Sequence, residues 1–205
     1  NQGGLDLLSG GLDEAGIPLD DDDLAEQLLL LLFAGYETTA SSLSCLFRAL
    51  LLNPEVERWL RDGLANEAAS ARLDATVLEV MRLTPPVGGF FRRSLAPIEL
   101  AGVAVPEGSV IQVVLSPTSA GDDEDLAAFR PQRHLDGSFK QTLLPFGGGE
   151  RVCLGKALAE LEIRLMAMGL LQTVELQLQP DQDLALQLIP SPTPKDGLLV
   201  QATAR

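Results

Sequence analysis

Residues Phe146–Gly155 read FGGGERVCLG, a glycine-rich loop that delivers one cysteine to the start of an apolar-periodic stretch. The apolar side chains of residues 154–171 recur at helical spacing, which predicts a helix beginning beside Cys153. The unpaired N–H groups and the dipole at a helix N-terminus favour a thiolate, and glycines without a Cβ let the backbone approach a flat ligand closely. A thiolate in this position is suited to binding a metal.

Two phosphate-binding patterns also contain glycine-rich loops, and the spacing fits neither. A Walker-type loop requires four residues between its last two glycines and then Lys with a hydroxyl residue. Here five residues separate Gly149 from Gly155, and Ala157 follows Lys156. The dinucleotide pattern G-x-G-x-x-G fails because Val152 stands at its last glycine position. The loop alone leaves two interpretations open, a buried inert cysteine and a thiolate ligand.

Length, charge and cysteine count narrow the class of protein. The chain has 205 residues, enough for one globular unit with a sizeable core, and a formal net charge of −14 at pH 7. This charge has the wrong sign for a phosphate backbone and disfavours nucleic-acid binding. Cys45 and Cys153 form no disulfide framework, which fits a reducing cytosol. The longest apolar run, residues 28–34, is shorter than the roughly 20 residues of a membrane span, so we expect none in this segment.

The complete loop pattern F-x-x-G-x-R-x-C-x-G is matched at every fixed position, and Ala159 and Glu162 continue it along the helix. In this the chain resembles the haem-binding loop of the cytochrome P-450 family. The resemblance implies that Cys153 is the axial thiolate ligand of the iron of haem b (iron protoporphyrin IX), where it donates electron density that favours O–O cleavage.

The same resemblance assigns the neighbours of this cysteine. Arg151 would pair with a haem propionate, because a guanidinium fork matches a carboxylate. Phe146 would shield the sulfur from water, while Gly147 and Gly155 would make room for the porphyrin. Further back in the chain, Arg92 aligns with the family's propionate-binding arginine, with Arg93 as the alternative register.

A second motif lies inside a long predicted helix. Carboxylates at residues 20–23 favour a helix start, and no proline interrupts residues 24–52, which would span about 43 Å. Residues 34–39 of this helix read AGYETT, although a central glycine costs up to about 1 kcal/mol relative to alanine. By themselves these residues favour a tolerated kink. Beside the Cys153 loop they resemble the family's oxygen-binding groove, A-G-x-[DE]-T-T.

That groove carries the implied catalytic residues. Gly35 would thin the helix so that O2 fits over the iron. Thr38, with Glu37 and ordered water, would then deliver protons to the distal oxygen.

Glu79 and Arg82 lie three residues apart in a helix predicted at residues 73–83. By themselves they indicate a solvated pair worth about 0.2 to 0.5 kcal/mol. In this order and company they resemble the family's buried E-x-x-R pair, which is linked to a downstream arginine, here Arg133. We interpret these three residues as a structural triad. His134 departs from the family, where an aromatic residue is usual after that arginine, and we interpret it as a surface or packing residue.

Short alternating runs predict small antiparallel sheets. They occur at residues 90–93, 98–100, 103–105, 110–115, 174–178, 184–188 and 198–203. With the long helix they give the expected fold class, a mainly α (α+β) cytochrome P-450 architecture in its C-terminal portion. We expect residues 1–19 to be a linker or the edge of a missing N-terminal half, and residues 20–205 to be the C-terminal part of a single catalytic domain.

The resemblance implies a haem-dependent monooxygenase that activates O2 to hydroxylate a small apolar substrate. Residues 85–90 and 190–197 resemble bacterial members of the branch acting on retinoid-like acids, so the substrate would be retinoid- or fatty-acid-like. Electrons would come from NAD(P)H through a ferredoxin or a flavoprotein reductase, in a bacterial cytoplasm.

Two alternatives remain, a non-catalytic haem-binding or regulatory protein and a haem-thiolate isomerase. The acid–alcohol pair of Glu37 and Thr38 favours oxygen activation over both. We expect the isolated segment to fold poorly and to be inactive, because the face of the long helix that would pack on absent helices should be exposed.

Overall fold

The computed structural model describes residues 4–13, 15–64, 69–115 and 124–205. The helices in these ranges are α1 (Gly4–Ser9), α2 (Asp21–Leu52), α3 (Pro54–Leu64), α4 (Ala69–Leu83), α5 (Glu124–Ala127) and α6 (Lys156–Thr173). The strands are β1 (Gly89–Arg93), β2 (Ile98–Leu100), β3 (Val103–Val105), β4 (Val110–Val114), β5 (Val174–Leu178), β6 (Leu186–Gln187), β7 (Thr193–Pro194) and β8 (Val200–Ala204). Contacts divide the chain into two units, Asn1–Glu37 and Thr38–Arg205, so the division falls inside α2.

The start of α2 is fixed by two aspartates that cap each other. Asp20 Oδ1 accepts a hydrogen bond from the backbone N–H of Asp23 at 2.9 Å, and Asp23 Oδ2 accepts from the N–H of Asp20 at 3.4 Å. This is the reciprocal arrangement of a capping box. The predicted acidic helix start is therefore confirmed, and the 32 residues of α2 span about 48 Å at 1.5 Å per residue.

The first unit exposes a strip of large apolar side chains on α2. Phe33 is 71% exposed and Tyr36 75%, and the leucines before them are exposed as well. The expectation of an exposed apolar face on this helix is confirmed.

The same helix bears on the expectation that this segment contains no membrane span. Among the described residues, α2 as a whole is long and apolar enough to cross a membrane by length and composition alone. The prediction counted one uninterrupted apolar run, whereas an 18-residue stretch of α2 that includes polar residues is apolar on average. A central helix of a soluble fold meets the same test, so this finding does not place α2 in a membrane.

The second unit contains the apolar core. Its fully buried members come from the C-terminal half of α2 and from α3, α4 and α6: Cys45, Leu46, Phe47, Leu50, Val56, Leu60, Leu73, Val80, Met81, Ile163, Ala167 and Leu171. Cys45 thus belongs to the core of this unit. Asn53 joins α2 to α3, since its carbonyl accepts from the N–H groups of Val56 and Glu57 in the first turn.

The strands pair as four two-stranded antiparallel sheets within the described ranges: β1–β4, β2–β3, β5–β8 and β6–β7. The strand predicted at residues 184–188 shortens to Leu186–Gln187, and its partner is Thr193–Pro194 from the proline-rich tail. Two side chains of α2 hold this tail, because Ser41 Oγ and Cys45 Sγ donate to the carbonyl of Pro192 at 2.7 and 3.2 Å. Arg48 Nε donates to the carbonyl of Leu184 at 2.6 Å.

Candidate functional site

The Cys153 loop is shaped by its own backbone. Gly147 and Gly149 have positive φ angles of 71° and 64°, a region that glycine enters without a Cβ penalty. The N–H of Cys153 donates to the carbonyl of Phe146 at 2.9 Å, and the N–H of Val152 donates to that of Gly149 at 3.2 Å. These bonds fold the loop into a rigid support for the cysteine.

Cys153 lies at the start of α6, as the sequence predicts. Its carbonyl accepts a hydrogen bond from the N–H of Lys156, the first residue of the helix, at 3.3 Å. The thiol is exposed, whereas the Cys45 thiol is buried and burial raises the pKa of Cys45. A Cβ at Gly155 would lie 3.9 Å from Cys153 Sγ, so this glycine is a direct neighbour of the sulfur.

The surroundings of the thiol fit a flat apolar ligand such as a porphyrin. Leu154 is 91% exposed, and Val152 and Leu158 are exposed too, although apolar side chains of this size are usually covered. Phe146 is half-buried against the core and holds the loop in place. An exposed thiol on an exposed apolar surface suits a haem iron better than a hydrated metal ion.

The two cations implied for the propionates both lie at the surface. Arg151 is exposed at the end of a 3-10 turn, Gly149–Arg151. Arg92 is exposed on β1, where its guanidinium lies 4.3 Å from the Phe90 ring centroid and its NH1 donates to the carbonyl of Phe91 at 2.9 Å. Each guanidinium has further N–H groups that could donate hydrogen bonds to a carboxylate.

A cleft of about 380 Å³ lies beside the loop. Residues 143–147 and Val152 form its loop side, and α4 and α6 supply the rest of its lining. Two ion pairs stand at these helices, Arg164 with Asp74 at 2.6 Å and Lys156 with Glu160 at 3.9 Å. The cleft therefore combines an apolar floor with charged edges.

The AGYETT segment is helical throughout. A Cβ added at Gly35 would meet no atom of the described residues within 4 Å, so packing in this part of the chain does not demand a glycine. Glu37 and Thr38 are half-buried, and the Thr38 carbonyl accepts a hydrogen bond from Ser42 Oγ at 2.9 Å. Gly35 and Glu37 belong to the first unit, and Thr38 belongs to the second with Cys153.

Glu79 is the centre of a buried ionic cluster. Two guanidinium nitrogens of Arg82 donate to its carboxylate, Nε to Oε2 at 2.8 Å and Nη2 to Oε1 at 2.9 Å. Arg133 Nε donates to Oε1 at 3.0 Å, and the backbone N–H of Arg130 donates to the same oxygen at 3.0 Å. The Glu79 side chain is 0% exposed. The structure thus brings together the three residues that the sequence places in one triad.

His134 is a further member that the sequence analysis missed. Its Nε2 lies 2.7 Å from Glu79 Oε2, and its side chain is 6% exposed. The ring packs edge-on against Phe139 with centroids 5.1 Å apart. The interpretation as a surface residue is therefore wrong, and packing describes only half of its contacts. The available signal was its position next to Arg133, on the same short turn, Pro131–His134.

The cluster strongly favours the ionised form of Glu79. Burial alone would raise the pKa of this carboxyl group. The hydrogen bonds from Arg82, from His134 and from the Arg130 backbone outweigh burial and lower the pKa to about 2. The carboxylate is therefore a permanent charge at neutral pH.

Comparison with known proteins identifies the class. The Cytochrome P450 family model matches residues 4–202, so the chain belongs to the cytochrome P450 family. The resemblance on which the sequence analysis relied, and the fold class it implied, are both confirmed.

Among particular relatives, the chain is 37% identical to Putative cytochrome P450 120 of a Synechocystis strain, over 96% of this chain and 48% of that protein. It is 33% identical to human Cytochrome P450 26B1, over 96% of this chain and 44% of that protein. The solved structure of retinoic acid bound cyanobacterial CYP120A1 superposes with a TM-score of 0.86 at 35% identity, covering 98% of this chain and 50% of that one. The chain thus spans about half the length of the relatives it matches.

Proposed function

We propose that this chain is the haem-binding portion of a monooxygenase that uses O2 to hydroxylate a small apolar substrate. The observation that carries the proposal is the exposed Cys153 thiol at the start of α6, on a backbone-closed glycine loop and beside exposed apolar side chains. When bound, a haem b ligated by a thiolate supplies reductive activation of O2.

In this proposal the chain's own residues hold the cofactor through a thiolate, two arginines and the residues around the thiolate. Cys153 would supply the thiolate that binds the haem iron, and Gly155, next to the sulfur, would make room for the porphyrin. Arg151 and Arg92 pair with the propionates through their free guanidinium donors. Phe146 would shield the sulfur from water once the haem is bound, and Gly147, whose positive φ favours glycine, would make room for the porphyrin.

Proton delivery is assigned to α2. The Thr38 hydroxyl would position a water molecule that acts as the proton donor. The Glu37 carboxyl group would pass protons to that water molecule. Gly35 leaves the space that a side chain would fill. The open surroundings of a Cβ at this position support that role, because no atom of the described residues lies close enough to require a glycine there.

Similarity to other members of the family supports our proposals for the substrate, the electron source and the cellular location. A relative of known structure holds retinoic acid, and we propose a retinoid- or fatty-acid-like substrate for this protein. We propose that NAD(P)H provides electrons through a ferredoxin or a flavoprotein reductase, in a bacterial cytoplasm.

We also propose that turnover requires the N-terminal half of the fold. In this scheme residues 1–19 form the edge toward that half, and residues 20–205 belong to one catalytic domain. The exposed strip around Phe33 on α2 supports this division, since a patch of that kind on a soluble protein marks an interaction surface.

The test compares the chain alone with the chain joined to an N-terminal half. Each form is loaded with haem, reduced and exposed to carbon monoxide, and retinoic acid turnover is measured with ferredoxin, reductase and NADPH. We expect the thiolate-type absorption band and hydroxylated product only in the joined form. Turnover by the chain alone would contradict the requirement for both halves. A joined form that shows the band but activates no O2 would favour the non-catalytic haem-binding alternative or the haem-thiolate isomerase.

A further inference from the structure

We propose that His134 is a positioning residue for Glu79: it holds the second carboxylate oxygen, so that the 131–134 turn is fastened to α4 by two side chains instead of by Arg133 alone. The contact is short, 2.7 Å from His134 Nε2 to Glu79 Oε2. Short N–H to carboxylate distances are typical of charge-assisted hydrogen bonds.

The occupancy of the two carboxylate oxygens shows why His134 matters. Oε1 accepts from Arg82, from the Arg130 backbone and from Arg133. Oε2 accepts from Arg82 Nε, and His134 is its other partner. An ionised carboxylate only accepts, so His134 Nε2 must carry the proton and donate it. Without that donor, a buried oxygen loses half of its partners.

The imidazole ring of His134 also has an aromatic neighbour. Phe139 packs edge-on against it at 5.1 Å, and the Arg82 guanidinium lies 5.8 Å from the centroid of the same Phe139 ring. Phe139 is seven residues before Phe146, where the Cys153 loop begins. The His134 ring therefore contacts the segment that leads into that loop. A phenylalanine at 134 would fill the same space and could not donate.

The charged groups around His134 come from every element packed against it. Helix α4 contributes Glu79 and Arg82, and α5 contributes Asp125, which pairs with Arg133 at 3.0 Å and with Arg130 at 3.1 Å. The turn contributes Arg133, and the segments on either side of it contribute Arg130 and Asp136. Since Arg82 and Arg133 remain when His134 is replaced, the Glu79 charge stays paired and only its positioning is altered.

This role predicts a specific change with pH. The pKa of Glu79 is lowered from 4.5 to about 2, and the His134 hydrogen bond is among the causes. The stability that depends on this ionised group is therefore present above pH 4.5 and is lost as the pH falls toward 2. Losing one donor raises the folded-state pKa, so the loss of stability begins at higher pH.

The experiment follows acid unfolding of the haem-loaded protein with both halves of the fold, by circular dichroism. We expect His134→Phe to move the unfolding midpoint upward by about half to one pH unit, since a hydrogen bond to a charged group is worth roughly one pKa unit. His134→Gln, which keeps a donor at a similar reach, should restore most of the shift. In a Glu79→Gln background His134→Phe should add no further shift.

Two results would overturn the proposal. One is a His134→Phe protein whose acid-unfolding midpoint does not move, which a purely space-filling residue would give. The other is an equal shift with and without Glu79. If His134→Phe does not fold, the comparison moves to His134→Gln against the shorter His134→Asn, and equal midpoints for those two variants would also contradict the role.

Discussion

The Glu79 cluster and the Cys153 loop belong to the same unit of the chain, yet this chain completes only one of them. At Glu79 both carboxylate oxygens are filled by donors from α4 and from the 130–134 segment, and the side chain is fully buried. At Cys153 the backbone is closed by its own hydrogen bonds, while the thiol and the neighbouring Leu154 are exposed.

This difference separates a structural motif from a chemical one. A buried charge must be satisfied by the protein itself, because an unpaired one costs several kcal/mol. A thiol that binds a ligand must instead be accessible to that ligand and not paired within the protein. Both motifs are short patterns containing an arginine, and their surroundings in the fold distinguish them.

The strongest test of the comparison is the Cys153→Ser variant. We expect complete loss of the thiolate-type absorption band of the reduced carbon monoxide complex and of turnover, because a neutral hydroxyl does not replace a thiolate ligand. The matched control is Cys45→Ser, whose hydroxyl can still donate to the Pro192 carbonyl. Survival of the band in Cys153→Ser would remove the proposed ligand.

The closed cluster is tested by Glu79→Gln in the haem-loaded protein. Leaving two arginines buried beside a neutral amide should lower the free energy of unfolding by about 3 to 5 kcal/mol at pH 7. Because the pKa of Glu79 is about 2 in the folded protein, this difference should shrink as the pH falls from 4.5 toward 2. Urea unfolding at several pH values measures both effects.

The control for Glu79→Gln is Asp74→Asn, which breaks the exposed pair with Arg164. That change should cost only about 0 to 1 kcal/mol. Equal losses for the two variants would contradict the distinction between a closed cluster and a surface pair.

Thr38→Ala tests whether the open site extends to α2. We expect hydroxylated product per NADPH consumed to fall about 100-fold, the lower range for a lost proton donor, with little change in the absorption spectrum. Thr38→Ser keeps the hydroxyl and should retain most of the coupling. Wild-type coupling in the alanine variant would exclude Thr38 from proton delivery.

The smallest expected effect is that of Gly35→Ala. A Cβ there meets no described atom within 4 Å, and alanine is favoured over glycine in a helix by up to about 1 kcal/mol, so the free energy of unfolding should rise. Turnover should fall severalfold because the added methyl group fills the proposed O2 space. Gly169→Ala in α6 is the matched control, since its Cβ also meets no described atom within 4 Å. It should gain stability without losing turnover.

The sequence predicts those parts of the molecule whose signals are local. The loop around Cys153 follows from ten consecutive residues, and the start of α2 follows from aspartates that cap each other. Glu79 and Arg82 are one helical turn apart, so their contact needs only a helix. These features depend little on the rest of the fold.

Features that depend on distant packing were harder to predict. Helix α4 begins at Ala69, earlier than the predicted residue 73, because the alanine-rich stretch before it has no periodic pattern. The pairing of β6 with β7 places Pro194 in a strand, which local propensity disfavours. His134 was misjudged because its partner Glu79 lies 55 positions earlier in the chain.

The Pro192 carbonyl, which accepts from both Ser41 and Cys45, has a mechanical consequence. The two donors are one helical turn apart on α2. Their two hydrogen bonds therefore hold the Pro192 carbonyl at a defined position along the helix and around it. The turn joining β6 and β7 carries the exposed Leu188 and Ile189. Ser41 and Cys45 therefore tie this exposed apolar turn to α2, although it lies more than 140 residues further along the polypeptide.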